Sequence, residues 1–218
     1  MARYDRVASA YARRMEHYLA FVVASAIVLA IPGPTILLVV TRSLNHGAAV
    51  RRATVGGVVL GDLVAMTAAM LGAGAVLLAS AQLFTALRIA GGLYLVWLGV
   101  RTWRSRGQQW VLDEPVEADP KRVFAESFAV TATNPKSIAF FVAFVPQFIN
   151  PAAPWLPQTV LLIVTFVLLG GLNALAYGWL AGRARGVMLR PETRRRVART
   201  SGGVLVAGGA AVIATAHT

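Results

Sequence analysis

The chain has 218 residues, of which 57% are hydrophobic and only 14% charged, whereas a soluble domain carries about a quarter charged residues. This composition indicates an integral membrane protein. The 21 basic residues exceed the nine acidic ones and give a formal net charge of +12, which in so apolar a chain favours basic loops at anionic lipid over nucleic-acid binding. Cysteine is absent and the three histidines lie outside the apolar runs, so we predict neither a metal site nor a cofactor.

Six apolar runs have about the length needed to cross a bilayer, whose hydrocarbon core of roughly 30 Å requires about 20 helical residues. They cover approximately residues 18–41, 53–79, 83–100, 123–145, 155–181 and 201–216. The runs are too uniformly apolar for the alternating strands of an outer-membrane barrel. The predicted fold class is an all-α membrane protein with six transmembrane helices. The last run is short and rich in glycine, which predicts close packing against a neighbouring helix.

Basic residues indicate the orientation of these helices. Fifteen of the 21 lie in three connections, at residues 42–52, 101–122 and 182–200, while the connections after the second and fourth spans have none. Since loops kept in the cytoplasm are enriched in Lys and Arg, we predict that these three connections are cytoplasmic and face anionic lipid. Both termini then lie outside.

The N-terminal tail, residues 1–17, does not fit this orientation because it carries four arginines. Two explanations stay open. The tail is a basic amphipathic helix on a membrane surface, since its apolar residues recur at helical spacing, or Met15 is the true start. Cleavage as a signal peptide after residue 26 is disfavoured, because it would destroy the first span.

The spans divide into two units of three, residues 18–101 and 123–218, joined by a cytoplasmic linker at residues 102–122. An odd number of spans per unit gives the units opposite orientations, which predicts an inverted 3+3 repeat. Proline interrupts the first helix of each unit, at Ile31-Pro32-Gly33-Pro34 and at Asn134-Pro135. Matching breaks at mid-depth are typical of a transporter binding site, although kinks that only shape the packing are the alternative.

Three ionisable residues lie inside the predicted spans: Asp62, Arg88 and Lys136. Residue counts place Asp62 about 15 Å and Lys136 about 20 Å into their spans, with Arg88 nearer the outer surface. A charge at mid-depth costs about 2.5–3.5 kcal/mol, so we expect Asp62 and Lys136 to pair. The pair either handles protons and the charged groups of a solute, or is static and fixes helix register. Arg88, Asn173 and Tyr177 are candidates to line a polar cavity, or else to anchor and join helices.

Several separated motifs resemble the lysine exporter (LysE) superfamily, and specifically its homoserine/threonine-type amino-acid exporters. They occur in the same order from Met15 to the end of the chain: Ile31-Pro32-Gly33-Pro34-Thr35, Gly61-Asp62-Leu63, Leu87-Arg88-Ile89-Ala90-Gly91-Gly92-Leu93-Tyr94, Asn134-Pro135-Lys136-Ser137 and Phe144-Val145-Pro146-Gln147-Phe148. The family usually has Asn or Asp where this chain has Thr35, and often Lys where it has Arg88. The Thr35 difference leaves the substrate open.

The resemblance implies a multi-pass exporter in the bacterial plasma (inner) membrane, driven by proton motive force, that exchanges protons for amino acids or close analogues. No enzyme activity is implied. The expected substrate-binding and coupling residues adjoin the two breaks and the buried charges: Pro32, Gly33, Pro34, Thr35, Asp62, Asn134, Pro135 and Lys136. A channel or membrane scaffold without coupled transport is the alternative. Whether two copies form a homodimer, for instance through Gly57 and Gly61, stays open.

Overall fold

The structure, a computed structural model, describes residues 2–45, 47–105, 119–150, 152–188 and 190–216, with the backbone alone for residues 2–14, 44–45 and 182–188. These residues form eight α-helices and a short 3₁₀ helix, and none of them forms a strand. The helices are α1 (Ala2–Ala30), α2 (Pro34–Asn45), α3 (Ala48–Ala79), α4 (Ala81–Arg104), α5 (Pro120–Ala132), α6 (Pro135–Ala143), α7 (Trp155–Met188) and α8 (Pro191–Ala214), with the 3₁₀ helix at Val145–Phe148. The all-helical prediction is confirmed.

Four helices, α3, α4, α7 and α8, are each long and apolar enough to cross a membrane. Two bent pairs of helices are each long and apolar enough, taken together, for one further crossing. The axes of Met15–Ala30 and Pro34–Ser43 differ by 59°, and those of Pro120–Ala132 and Pro135–Phe148 by 42°. Counting each pair as one span gives the six predicted crossings, and both helix breaks fall at the predicted prolines.

The structure differs from the predicted boundaries at one basic segment. The basic segment at residues 182–200 is mostly helical, because α7 continues to Met188 and α8 begins at Pro191, where proline needs no amide partner. The tail at residues 2–14 continues the helix of the first span, and the side chains of its amphipathic pattern lie outside those described. Most of the predicted linker, residues 106–118, also lies outside the described chain.

Glycines on α3 bring this helix into backbone contact with α5. A Cβ atom added to Gly57 would lie 2.5 Å from the carbonyl oxygen of Phe124, and one on Gly61 would lie 2.7 Å from the Cβ of Thr131. Helices that approach this closely through small residues are common in membrane proteins. The Gly57–Gly61 face is therefore covered within the chain and does not serve as a homodimer contact.

A second glycine contact joins α4 to α8, as the glycine-rich last span predicts. A Cβ atom on Gly202 would lie 2.5 Å from the carbonyl oxygen of Gly99, and one on Gly209 would lie 2.5 Å from that of Gly92. The α3–α5 and α4–α8 contacts each pair a helix that begins before residue 102 with one that begins after residue 118. Helices from before the linker thus pack directly against helices from after it.

An aromatic cluster forms the main core, and its largest members are fully buried: Phe21, Met66, Phe140, Phe141 and Phe166. Met66 lies one helical turn beyond Asp62, and Phe140 lies one turn beyond Lys136. The cluster therefore lies on the side of Asp62 and Lys136 that faces away from the basic connections.

Replacing Gly57 with Ala tests the α3–α5 contact. We expect a loss of about 1–3 kcal/mol in unfolding free energy, because the added methyl group meets the backbone of α5. Gly72 on the same helix is the control, since a Cβ atom there has nothing within 4 Å. Gly72→Ala should leave thermal stability in detergent unchanged or slightly raised, as alanine favours helix. Equal effects of the two substitutions would contradict the contact.

Candidate functional site

The last turn of α1 leaves carbonyl groups without their usual partners. In a helix each carbonyl accepts from the amide four residues later, and the last four carbonyls have no such partner. Here the residues four places after Val28 and Ala30 are Pro32 and Pro34, which carry no amide hydrogen. The Ile31 amide makes only a 3.3 Å contact to the Val28 carbonyl. This turn of α1 therefore presents acceptors that other groups must satisfy.

Lys136 satisfies two of these acceptors. Its Nζ atom donates to the carbonyl oxygens of Ile31, at 2.8 Å, and of Val28, at 3.1 Å. The side chain is only 7% exposed, and it passes Gly33, where an added Cβ would lie 3.4 Å from Nζ. The C-terminus of a helix carries partial negative charge, so an ammonium group is favourable there. Lys136 thus places a cation at the first break.

Asn173 and Tyr177 of α7 satisfy the other two acceptors. The Asn173 Nδ2 atom donates to the carbonyl oxygen of Leu29 at 3.0 Å, and the Tyr177 hydroxyl donates to that of Ala30 at 2.8 Å. Both side chains join α7 to α1, and joining helices was one of the two predicted roles. Tyr177 also lines a cavity, which was the other predicted role.

The second break is connected to the first through Thr35. Asn134 caps α6, its Oδ1 atom accepting from the Lys136 backbone amide at 3.1 Å, and Pro135 occupies the first helical position. The Asn134 Nδ2 atom donates to the Thr35 hydroxyl at 3.1 Å, and the Thr131 hydroxyl lies 3.4 Å from the same oxygen. The N-termini of α2 and α6, both carrying partial positive charge, are therefore held close together.

Asp62 lies near the middle of α3 and is 3% exposed. Its carboxylate packs on the backbone of α7 at Gly170, where an added Cβ would be 2.7 Å from Oδ2 and 3.7 Å from the Leu29 side chain. The expected direct pair with Lys136 is not formed: among the described residues the only ion pair within 4.0 Å joins Arg42 to Glu126. The carbonyls at the end of α1 hold the ammonium group instead.

Arg88 is not brought to this site. Its guanidinium donates to the carbonyl oxygen of Thr215 at 3.3 Å and lies 3.4 Å from the Thr215 hydroxyl, at the end of α8. The guanidinium thus anchors α4 to the end of α8, and Arg88 is not among the residues that line the cavity next to the first break. Arg42 and Glu126 form their 2.6 Å ion pair between α2 and α5, at the side of the basic connections.

A cavity of about 180 Å³ adjoins the first break. It is bounded by the end of α1, by α7 and by the first turns of α8, through Ala30, Pro32, Tyr177, Thr193, Arg194, Val197, Thr200 and Ser201. Sequence analysis missed the α8 residues because it treated residues 182–200 as a loop. These residues recur at intervals of three and four, which indicates one face of a helix.

The family described as LysE type translocator matches residues 26–216. The chain belongs to this family. The LysE type match includes both helix breaks, Asp62, and the three residues that donate to the carbonyls at the end of α1, Lys136, Asn173 and Tyr177.

The relatives of this LysE type chain include proteins with named activities. A homoserine/homoserine lactone efflux protein of Salmonella typhi is 29% identical over 202 residues, which cover 93% of this chain and 98% of the relative. A leucine efflux protein of Klebsiella pneumoniae is 34% identical over 140 residues, 62% of this chain and 64% of the relative. An uncharacterized membrane protein of Pseudomonas aeruginosa is 30% identical over 90% of this chain and 94% of its own length. No solved structure matches the chain.

The chain is therefore a multi-pass protein of the bacterial inner membrane, from a family of amino-acid efflux transporters. The named relatives are transporters and not enzymes.

Replacing Lys136 with Met tests the cap on α1. The methionine fills a similar volume but leaves the carbonyls of Val28 and Ile31 without their donor, at a cost of about 1–3 kcal/mol each. We expect a clear loss of thermal stability in detergent. Lys121→Met is the control, because Lys121 is an exposed lysine at the start of α5. Unchanged stability of Lys136→Met would show that these hydrogen bonds do not hold the break.

Proposed function

We propose that the protein is a secondary active exporter of amino acids or close analogues, driven by proton motive force, and that the end of α1 is its substrate-binding site. The observation that carries this proposal is the ammonium group of Lys136 on the carbonyls of Val28 and Ile31. A backbone site that holds one primary ammonium in the membrane can hold another. The names of the homoserine and leucine efflux relatives support amino acids as the substrate class.

The surroundings of the site suit a zwitterion. The carbonyls at the end of α1 are acceptors for a substrate ammonium group. The N-termini of α2 and α6, with Thr35 and Asn134 beside them, offer donors and partial positive charge for a carboxylate. Helix ends at a break near the midplane are how several secondary transporters bind their substrates and ions.

Lys136 and Asp62 supply the coupling in this proposal. When the substrate ammonium takes the α1 carbonyls, Lys136 is displaced and moves toward the protonated carboxyl group of Asp62. The carboxyl group then releases its proton to the inside, because an adjacent cation favours its charged form. When the substrate leaves to the outside, Lys136 returns to α1 and Asp62 takes up a proton there. Each turn carries substrate out and a proton in, and each charge yields about 2.3 kcal/mol per 100 mV.

Alternating access requires one side of the site to be closed. The aromatic cluster of Phe21, Met66, Phe140, Phe141 and Phe166 fills the outer half beyond Asp62 and Lys136. The cavity lies on the other side, against the basic first turns of α8. In this proposal the described conformation is an inward-facing state. In this proposal residues 18–101 and 123–218 are inverted units that rock against each other about the two breaks, joined by the linker at 102–122.

Asp62→Asn in proteoliposomes tests the coupling. Vesicles are loaded with leucine or homoserine, and efflux is followed with and without an inward proton gradient. We expect the substitution to abolish stimulation by the gradient, because the amide cannot release a proton, while exchange of labelled for unlabelled substrate continues.

Asp119→Asn provides the matched control. Asp119 caps α5 by accepting from the Lys121 amide at 3.1 Å, and an asparagine side chain caps in the same way. This variant should respond to the gradient like the unaltered protein. Gradient-stimulated efflux by Asp62→Asn would remove Asp62 from the mechanism, and currents without saturation by substrate would favour a channel.

A further inference from the structure

We propose that Ser25 of α1 is a relay residue, whose hydroxyl passes protons from the outer side of the bundle to Asp62. This inference rests on the proposed export function, in which Asp62 takes up a proton from the outside. It adds a residue that neither helix break includes.

The hydroxyl of Ser25 is buried and unpaired. The side chain is 0% exposed, and among the described residues its Oγ atom has no hydrogen-bond partner. A hydroxyl inside a helix can donate to the carbonyl four residues earlier, as Thr54 does to Val50 at 2.9 Å. Because an unpaired buried hydroxyl costs free energy, Ser25 does not stabilise the fold, and its presence points to another role.

Contacts on α7 place Ser25 close to Asp62. A Cβ atom added to Gly170 would lie 2.7 Å from the Oδ2 atom of Asp62 and 3.7 Å from the Leu29 side chain, so Asp62 and Leu29 share this layer of the bundle. Ser25 lies four residues before Leu29, on the same face of α1. It therefore occupies the adjacent layer, about 6 Å further along the helix.

This adjacent layer lies on the side of the aromatic cluster. Ser25 falls between Phe21, which belongs to the cluster, and Leu29, which packs against it. Two turns before Ser25 on α1, the Tyr18 hydroxyl lies 3.0 Å from that of Thr165 on α7. In the proposed function this side is the outer one and opens when the substrate leaves. A proton that enters from there passes these hydroxyls before it reaches Asp62.

A hydroxyl can accept and donate a proton at the same time, because it has lone pairs as well as an O–H group. In the relay step the Ser25 oxygen accepts a proton from a hydronium ion of the outer water, and its own proton passes to the Asp62 carboxylate. One O–H bond forms and one breaks at Ser25. The products are a water molecule, a neutral carboxyl group and an unchanged serine.

Asp62 is the acceptor that this relay can serve. Among the described residues of the helices that form the aromatic cluster, the titratable side chains inside the bundle near Ser25 are Tyr18 on α1, Asp62 on α3 and Lys136 on α6. Residues 159–170 of α7 and the 3₁₀ helix have none. Lys136 is a cation held on the Val28 and Ile31 carbonyls and does not attract a further proton.

The test compares Ser25→Ala with Ser127→Ala. Ser127 is also 0% exposed and unpaired among the described residues, but it lies at the contact of α5 with Gly57. Leucine efflux from proteoliposomes is measured with an inward proton gradient. We expect Ser25→Ala to lower the maximal rate about tenfold or more, with KM unchanged and exchange of labelled for unlabelled leucine intact. Ser127→Ala should behave like the unaltered protein.

Two further measurements separate a relay from a structural role. The thermal stability of Ser25→Ala in detergent should be unchanged or raised, because the substitution removes an unpaired buried hydroxyl. Lowering the external pH should restore part of the lost rate, since direct delivery of protons to Asp62 increases with their concentration.

Four results would overturn the inference and leave the proposed export intact. They are full gradient-driven efflux by Ser25→Ala, an equal loss in Ser25→Ala and Ser127→Ala, a loss of exchange together with gradient-driven efflux, and a lower thermal stability of Ser25→Ala. Absence of gradient-driven efflux in the unaltered protein would overturn the proposed function and this inference together.

Discussion

The backbone at the end of α1 is the constraint on which the rest of the structure depends. Two prolines remove the amides that would pair with this turn, and a membrane interior offers no bulk water to replace them. All four terminal carbonyls accept from side chains of α6 and α7, through Lys136, Asn173 and Tyr177. The first break is therefore held by the second part of the chain, and a change in that contact changes both parts.

The glycine contacts make this arrangement possible. Gly57 and Gly61 bring α3 onto α5, and Gly170 lets Asp62 lie on the backbone of α7. The buried carboxylate and the ammonium group of Lys136 then lie in one region near the end of α1, without a direct ion pair. An ammonium group bound to neutral carbonyls can leave them without breaking an ion pair. Such a group can be displaced by a substrate, which is what the proposed export requires.

The sequence predicted the features that depend on position along a helix. Proline chemistry located the breaks at Pro32, Pro34 and Pro135, and residue counts placed Asp62 well inside its span, where it is buried near the middle of α3. It did not predict features that depend on which faces of distant helices meet. The expected Asp62–Lys136 pair failed because the freed carbonyls compete for the ammonium, and Gly57 contacts α5 rather than a second copy. The cavity residues of α8 were missed because their segment is a helix where a charged loop was expected.

A structure of the protein with bound amino acid, determined by electron cryomicroscopy in a lipid nanodisc, tests the central claim most directly. The account predicts the substrate ammonium within hydrogen-bonding distance of the carbonyl oxygens of Val28 and Ile31, with the Nζ atom of Lys136 moved away from both. A substrate bound elsewhere, with Lys136 still donating to these two carbonyls, would contradict it.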